Sequence, residues 1–319
     1  MTRSSLDVAE ETPLPAPRSN RPATIGHRIE YAATRFLFFL FGLIGVDRAS
    51  ALAGGFTRFV GPKLRRISAR GEENLRRAFP DWSENAVRRA VAGVWENLGR
   101  TAAEFAHLDR FDPFAPDSRV EIVGAERLRA VAAGAGPAIF VSGHFANWEV
   151  MSVALKAAGV DYAVVYRAAN NPLVDALIIE TRARVMSRHQ IPKGKRGARA
   201  LVEALRAGRS LAMLVDQKLN DGIAVPFMGR PAMTTPAPAR LALKFGAPVI
   251  PMGIERLAGA RFRLTVYDPI AHAPTGDLAE DVRSLTILIN EALEARIRAR
   301  PEQWLWLHRR WPKDDGAPA

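Results

Sequence analysis

The chain has 319 residues, 48% of them apolar, enough for one large α/β domain or two small ones with a sizeable core. It has no cysteine, which excludes disulfides, cysteine-ligated zinc and thiol catalysis. Lys and Arg number 45 against 33 Asp and Glu, a net charge of +12. Such a surface attracts polyanions: nucleic acid, anionic lipid headgroups or an acidic protein. The abundance of Ala, Arg and Gly assigns part of that excess to codon bias.

The first residues carry four Pro within Met1–Ala23 and no apolar periodicity, so a disordered tail is expected over 1–24. No apolar segment of a secretory signal sits near the start. An uncharged run then covers Phe36–Val46, with four Phe in six positions. As a helix it would reach roughly 17 Å at 1.5 Å per residue, against about 30 Å for a bilayer core. A membrane-inserted or interfacial anchor is expected over 25–62, with an ordinary core helix as the alternative. Arg58, Lys63, Arg65, Arg66 and Arg70 follow. They place the rest of the chain on the cytoplasmic side of that membrane.

From Ser83 to Leu108 apolar residues recur at three- and four-residue steps, which predicts a helix. FDPFAPDS breaks it. Strands are expected at Ala138–Ser142, Tyr162–Tyr166, Leu211–Val215, Val249–Glu255 and Phe262–Tyr267. Helices are expected at Asn147–Ala158, Leu173–Arg188, Ala198–Ala207, Pro236–Phe245 and Leu278–Ala299. This alternation predicts the α/β class, with a mixed, mostly parallel sheet flanked by helices. One α/β domain over 63–312 and a flexible tail over 313–319 complete the parse.

VSGHFANWEV, Val141–Val150, places His144 directly after a predicted buried strand. Ligand sites in open α/β sheets gather at the carboxyl ends of strands. With His144 in the turn and Glu149 in the first turn of the next helix, the glutamate would fix the imidazole tautomer and stabilise the imidazolium. That makes a base for a hydroxyl proton. Asn147 is a candidate N-cap of that helix. A satisfied buried His–Glu pair without chemistry is the plain alternative. IPKGKRGAR clusters Lys193, Lys195, Arg196 and Arg199 ahead of a predicted helix, a pattern suited to a phosphate or to an acidic carrier protein. A solvated basic loop is the competing reading. Trp304, Trp306 and Trp311, with Arg309 and Arg310, form an interfacial or packing cluster.

HFANWE resembles the H-x4-D/E box of glycerolipid-type acyltransferases, in the form used by late, lauroyl/myristoyl-type lipid A acyltransferases. NLRRAFP, VVYRAANNPLVDALI, RARVMSRH, LVDQ, VPFMGRPAMT, LALKFGAPVIP and PEQWLWLHRRW follow the same family in order. The resemblance runs from about Ile25 to Trp311. It implies a glycerol-3-phosphate-acyltransferase-like fold on the cytoplasmic face of the bacterial inner membrane. The implied reaction moves a fatty acyl chain from acyl carrier protein to a hydroxyl of a phosphorylated lipid A precursor. The implied base is His144, oriented by Glu149, with direct attack on the thioester and no acyl-enzyme. Arg182 matches a family arginine, available for an oxyanion or a lipid phosphate. Arg184 is an equally spaced rival. Asp216 matches a family aspartate that could hold Arg182 or a bound hydroxyl. Asn147, Arg167, Arg184, Lys193 and Lys195 are the expected substrate contacts, and Thr234 and Thr235 lie near the acyl pocket by resemblance.

The expected partners are acyl carrier protein, the lipid A precursor and inner-membrane lipids; no cofactor or metal is expected. An acyl-CoA-dependent transfer to another glycolipid or phospholipid is the alternative within the superfamily. A membrane-tethered nucleic-acid-binding protein is a distant one, since helix-turn-helix, RNP and zinc-finger signatures are all missing.

Overall fold

The computed structural model describes residues 23–312. The tails expected over 1–24 and 313–319 lie, but for the last residues of the first, outside the described residues.

Seven strands form the main sheet: β1 (Val120–Val123), β2 (Ile139–Ser142), β3 (Tyr162–Tyr166), β4 (Gln190–Pro192), β5 (Ser210–Leu214), β8 (Val249–Arg256) and β9 (Phe262–Val266). Their order is β1-β9-β8-β2-β5-β3-β4. All neighbours are parallel except β8 and β9. The buried central strands read as apolar runs, IFVS in β2 and SLAML in β5, as strands covered on both faces must. β6 (Ile223–Phe227) and β7 (Arg230–Thr234) make a separate antiparallel hairpin. Its turn holds Met228 and Gly229 at φ 51 and 77, the paired positive angles that a tight hairpin turn requires.

Helices α6 (Glu149–Ala157), α7 (Pro172–Val185), α8 (Lys195–Arg206), α9 (Ala237–Phe245) and α10 (Leu278–Ala299) connect or cover the strands. Two apolar clusters result, one on each face of the sheet. Periodicity located the long elements to within a few residues. The short strands β1 and β4, the β6–β7 hairpin and helix α5 (Ala125–Ala132) carry too few periods to be seen that way, and helix α3 (Arg65–Ala78), dominated by Arg and Glu, has too few apolar positions.

Helix α4 (Glu84–Glu104) ends four residues before the expected limit, where the chain tightens into 3₁₀ turns over Phe105–Phe111. It packs on α2 (Val46–Val60) through small residues. A Cβ at Gly99 would sit 2.0 Å from Thr57 Oγ1 and 2.6 Å from the Ala53 carbonyl oxygen. The carbonyl belongs to helix backbone and cannot swing away. Gly99→Ala is therefore expected to destabilise the fold by about 1–3 kcal/mol, read as a lowered denaturant midpoint at unchanged slope.

The expected membrane anchor is corrected here. Helix α1 (Ile25–Leu43) has 19 residues. His27, Arg28, Glu30 and Arg35 occupy its first part. Among the described residues no helix is long and apolar enough to cross a membrane. The anchor, and the inner-membrane placement and lipid contacts that rested on it, are withdrawn. What α1 does instead is dock. His27, Tyr31, Thr34, Phe38 and Phe41 form a half-buried stripe at alternating four- and three-residue steps. Asn171 Nδ2 donates to the His27 carbonyl and to Glu30 Oε2, both at 2.9 Å. The Phe41 carbonyl lies 2.9 Å from His107 Nε2.

Candidate active site

Strand β2 delivers His144, and its neighbour β5 delivers Asp216. In the parallel register Ser142 faces Leu214, so two residues further on His144 and Asp216 stand level. The His144 Nδ1 and Asp216 Oδ1 atoms are 2.8 Å apart. The other carboxylate oxygen accepts the His144 backbone N–H at 2.8 Å and the Trp304 indole N–H at 2.7 Å. Asp216 is 2% exposed. Burial alone would raise its pKa; the charge of His144 and these hydrogen bonds outweigh burial and hold the carboxyl well below the usual range. An ionised carboxylate only accepts, so in the neutral imidazole Nδ1 carries the ring proton and Nε2 is the acceptor. Gln217 Nε2 lies 3.4 Å from that nitrogen.

Glu149 does not hold His144, contrary to expectation. It opens α6 and turns toward α7, where Arg182 donates to both its oxygens at 3.0 and 2.5 Å. Trp148 Nε1 adds a third bond at 3.1 Å. The two carboxylates have exchanged their expected partners: Asp216 takes the histidine and Glu149 the arginine. The reason is register. Asp216 extends the strand beside β2, whereas Glu149 lies beyond a loop, in the first turn of a helix. Burial alone would lower the Arg182 pKa, but the Glu149 charge overrides it and raises it.

The loop between β2 and α6 is held on every side. Ala146 sits at φ 43, a left-handed conformation costly for a residue with a Cβ. Its N–H donates to the Gln303 carbonyl at 2.8 Å. Its carbonyl accepts from Thr101 Oγ1 at 2.9 Å and Asn97 Nδ2 at 3.1 Å. Asn147 is fully buried. Its Oδ1 accepts the Glu149 N–H at 3.2 Å, the service expected of an N-cap, and its Nδ2 donates to Glu104 at 3.0 Å. Glu104, also fully buried, receives both terminal nitrogens of Arg256 and the Ser50 hydroxyl. Asn147 is thus a brace of the loop and makes no wall of the cavity.

A cavity of about 310 Å³ opens at the carboxyl edge of the sheet beside His144. Met151, Val164, Ala212 and Leu214 give it an apolar floor, while Arg167, Lys193, Gln217 and His308 bring polar groups. Arg182 lines it; Arg184 does not and is exposed, which ranks the two rivals. Lys195 opens α8, and its side chain lies outside the described residues. Thr234 is buried under Arg310, which donates to its hydroxyl at 2.7 Å, and neither it nor Thr235 lines the cavity. The three carboxyl-terminal tryptophans are core: Trp304, Trp306 and Trp311 are at most 3% exposed. Sequence reasoning missed Gln217 and His308, and the bond from Trp304 to Asp216. The signal for the first was its place beside Asp216 at a strand end.

Similarity to known proteins extends along nearly the whole described chain. The family model for "Bacterial lipid A biosynthesis acyltransferase" matches residues 26–313. The chain is 28% identical over 257 residues to the lipid A biosynthesis lauroyltransferase of Escherichia coli (strain K12), covering 77% of this chain and 79% of that one. It is 26% identical over 258 residues to the palmitoleoyltransferase of the same organism, covering 78% and 80%. A lipid A biosynthesis acyltransferase of Haemophilus influenzae is 22% identical over 275 residues, covering 85% and 84%. A family match over residues 26–313, in a chain whose strand-end His144 stands beside a largely apolar cavity, makes this protein an acyltransferase of the bacterial lipid A biosynthesis family.

Proposed function

We propose that the enzyme moves a fatty acyl chain from an acyl carrier protein thioester to a hydroxyl of a lipid A precursor, with His144 as general base and Asp216 as its orienting partner. The observation that carries this reading is the Asp216–His144 pair, which favours the tautomer whose acceptor nitrogen, Nε2, stands beside an apolar cavity. The acceptor hydroxyl gives its proton to Nε2 while its oxygen bonds to the thioester carbon. The imidazolium is stabilised by Asp216. The tetrahedral oxyanion then collapses, the carbon–sulfur bond breaks, and the thiolate takes the proton back from the imidazolium. No acyl-enzyme forms, in keeping with a chain that has no cysteine.

The Gln217 amide is a donor close to Nε2 for the oxyanion. Met151, Val164, Ala212 and Leu214 receive the acyl chain. Arg182, locked to Glu149, fixes the wall between α6 and α7. The carrier protein as donor rests on the resemblance of the motifs, and the net charge of +12 suits an acidic partner.

The donor is tested by offering matched acyl carrier protein and CoA thioesters to the purified enzyme with one acceptor. The reading expects kcat/KM to favour the carrier protein by about a hundredfold or more, the size of a lost electrostatic docking contact. Equal use of the two, or preference for CoA, contradicts it.

A further inference from the structure

The carboxyl ends of β3 and β4 place two cations side by side. The strands are parallel neighbours with Tyr166 level with Pro192. The Lys193 N–H donates to the Tyr166 carbonyl at 2.9 Å. The next residues out of the sheet are Arg167 and Lys193, and both line the mouth of the cavity. Like charges at adjoining strand positions repel. Many cations of this surface are relieved by acids, as Arg76 is by Glu72 and Glu84, and Arg100 by Glu96. Arg167 and Lys193 have no ion-pair partner among the described residues. The acid that acts on Lys193 is Asp216, whose oxygens are already occupied by His144 and Trp304.

A third group joins them. His308 lines the same mouth, with its ring 6.2 Å from that of His144. The segment that carries it is fixed, because Asn74 Nδ2 donates to the carbonyls of both Trp306 and His308, at 2.8 and 2.5 Å. Desolvation first, and then the charge of His144, with smaller pushes from Arg167 and Lys193, outweigh the pull of Asp216 and lower the His308 imidazole below its usual range. A protonated ring nitrogen there can donate to a ligand at this opening. Two unrelieved cations and a ring donor at one opening are complementary to a compact anionic group with several acceptor oxygens.

We propose that Arg167, Lys193 and His308 form a seat for one phosphate group at the mouth of the catalytic cavity. Arg167 offers a planar fork to two phosphoryl oxygens, Lys193 a point charge, and His308 a ring N–H. The seat lies on the side of the cavity toward β3 and β4, so a phosphate held there aligns the rest of its molecule with His144. Two sources share this chemistry: a phosphate on the acceptor lipid, and the phosphodiester of a pantetheine arm on the donor. The naming of these sources rests on the acyl-transfer reading above; the seat itself rests on the cations.

Binding is measured on the His144→Ala protein, so that affinity is read without turnover. Two matched pairs of probes are used: the acceptor lipid with its phosphates and after phosphatase treatment, and an acyl-phosphopantetheine thioester and its acyl-pantetheine counterpart. The expected result is that one pair shows at least a tenfold preference for the phosphorylated member, the effect of a charge-assisted hydrogen bond or more. That pair identifies the source. Adding Arg167→Gln and Lys193→Gln together abolishes the preference and leaves the phosphate-free probe bound as before, at an unchanged unfolding midpoint. Equal affinity within both pairs overturns the seat. So does a double variant that keeps the preference, or one that weakens both members of a pair alike. A separate failure of acyl transfer by the wild-type enzyme would sink the proposed function without touching this result.

Discussion

Asp216→Asn leaves the fold in place and lowers kcat on the order of 10³–10⁴-fold, the loss seen when a catalytic histidine is held in the wrong tautomer. The geometry explains why an isosteric change does so much. Oδ2 of Asp216 accepts two N–H groups, from the His144 backbone and from Trp304. An asparagine must keep its oxygen there, which turns its NH₂ toward Nδ1. Two donors cannot face each other, so Nδ1 becomes the acceptor and the ring proton moves to Nε2. The nitrogen beside Gln217 and the cavity then no longer accepts a proton. The Asp216 carboxyl titrates below its usual range in the folded protein. Its contribution to stability is therefore fully present above its unfolded pKa of about 4 and is lost as pH falls toward the lower folded value. Across neutral and mildly acidic pH the wild type keeps the charge, and the loss in the variant should be the same throughout. Steady-state rates with an unfolding midpoint check this; a variant near the wild-type rate would remove Asp216 from the mechanism.

Glu104→Ala is expected to lower stability by about 3–5 kcal/mol, the cost of leaving a buried charge without its partner. Arg256 is 9% exposed and gives both terminal nitrogens to Glu104, while its Nε donates to Asn97 Oδ1 at 3.1 Å. Removing the carboxylate leaves that guanidinium in the interior with the Gly259 carbonyl and the Phe262 ring. Ser50 and Asn147 lose their acceptor at the same time. The damage reaches the site, because Asn147 braces the strained turn at Ala146 and with it His144. Chemical denaturation measures the first effect. A midpoint like that of the wild type would show that the pair contributes little beyond its own desolvation.

Much of this was legible beforehand, and the missing part has one physical cause. Long helices and buried strands announce themselves by period and composition, and Leu278–Ala299 was located to the residue. His144 was placed at a strand end from the apolar run before it. What the sequence could not supply was strand order. His144 and Asp216 are 72 residues apart and meet only because β2 and β5 are parallel neighbours with Ser142 facing Leu214. Without that register, the carboxylate five residues along the chain was the nearer partner to assume, and Glu149 was expected where Asp216 contacts the ring. The same gap hid Trp304 and His308, brought to the site from the end of the chain. The anchor expected at Phe36–Val46 failed for a different reason. A local apolar run does not say whether a helix crosses a bilayer or lies against its own protein; α1, which carries Arg28, Glu30 and Arg35, is not long and apolar enough to cross and docks on α7.

The central claim is that His144 takes the acceptor proton in an acyl transfer to a lipid A precursor. The direct test is mass spectrometry of the lipid products. Purified enzyme and the His144→Ala variant are each mixed with a lipid A precursor and a panel of acyl carrier protein thioesters. A gain of one acyl chain with the wild type, falling by about 10²–10⁴-fold in a folded variant, is the result expected for loss of a general base. A variant that transfers the chain as fast as the wild type would contradict the assignment of the base, and no gain with folded wild-type enzyme would contradict the reaction.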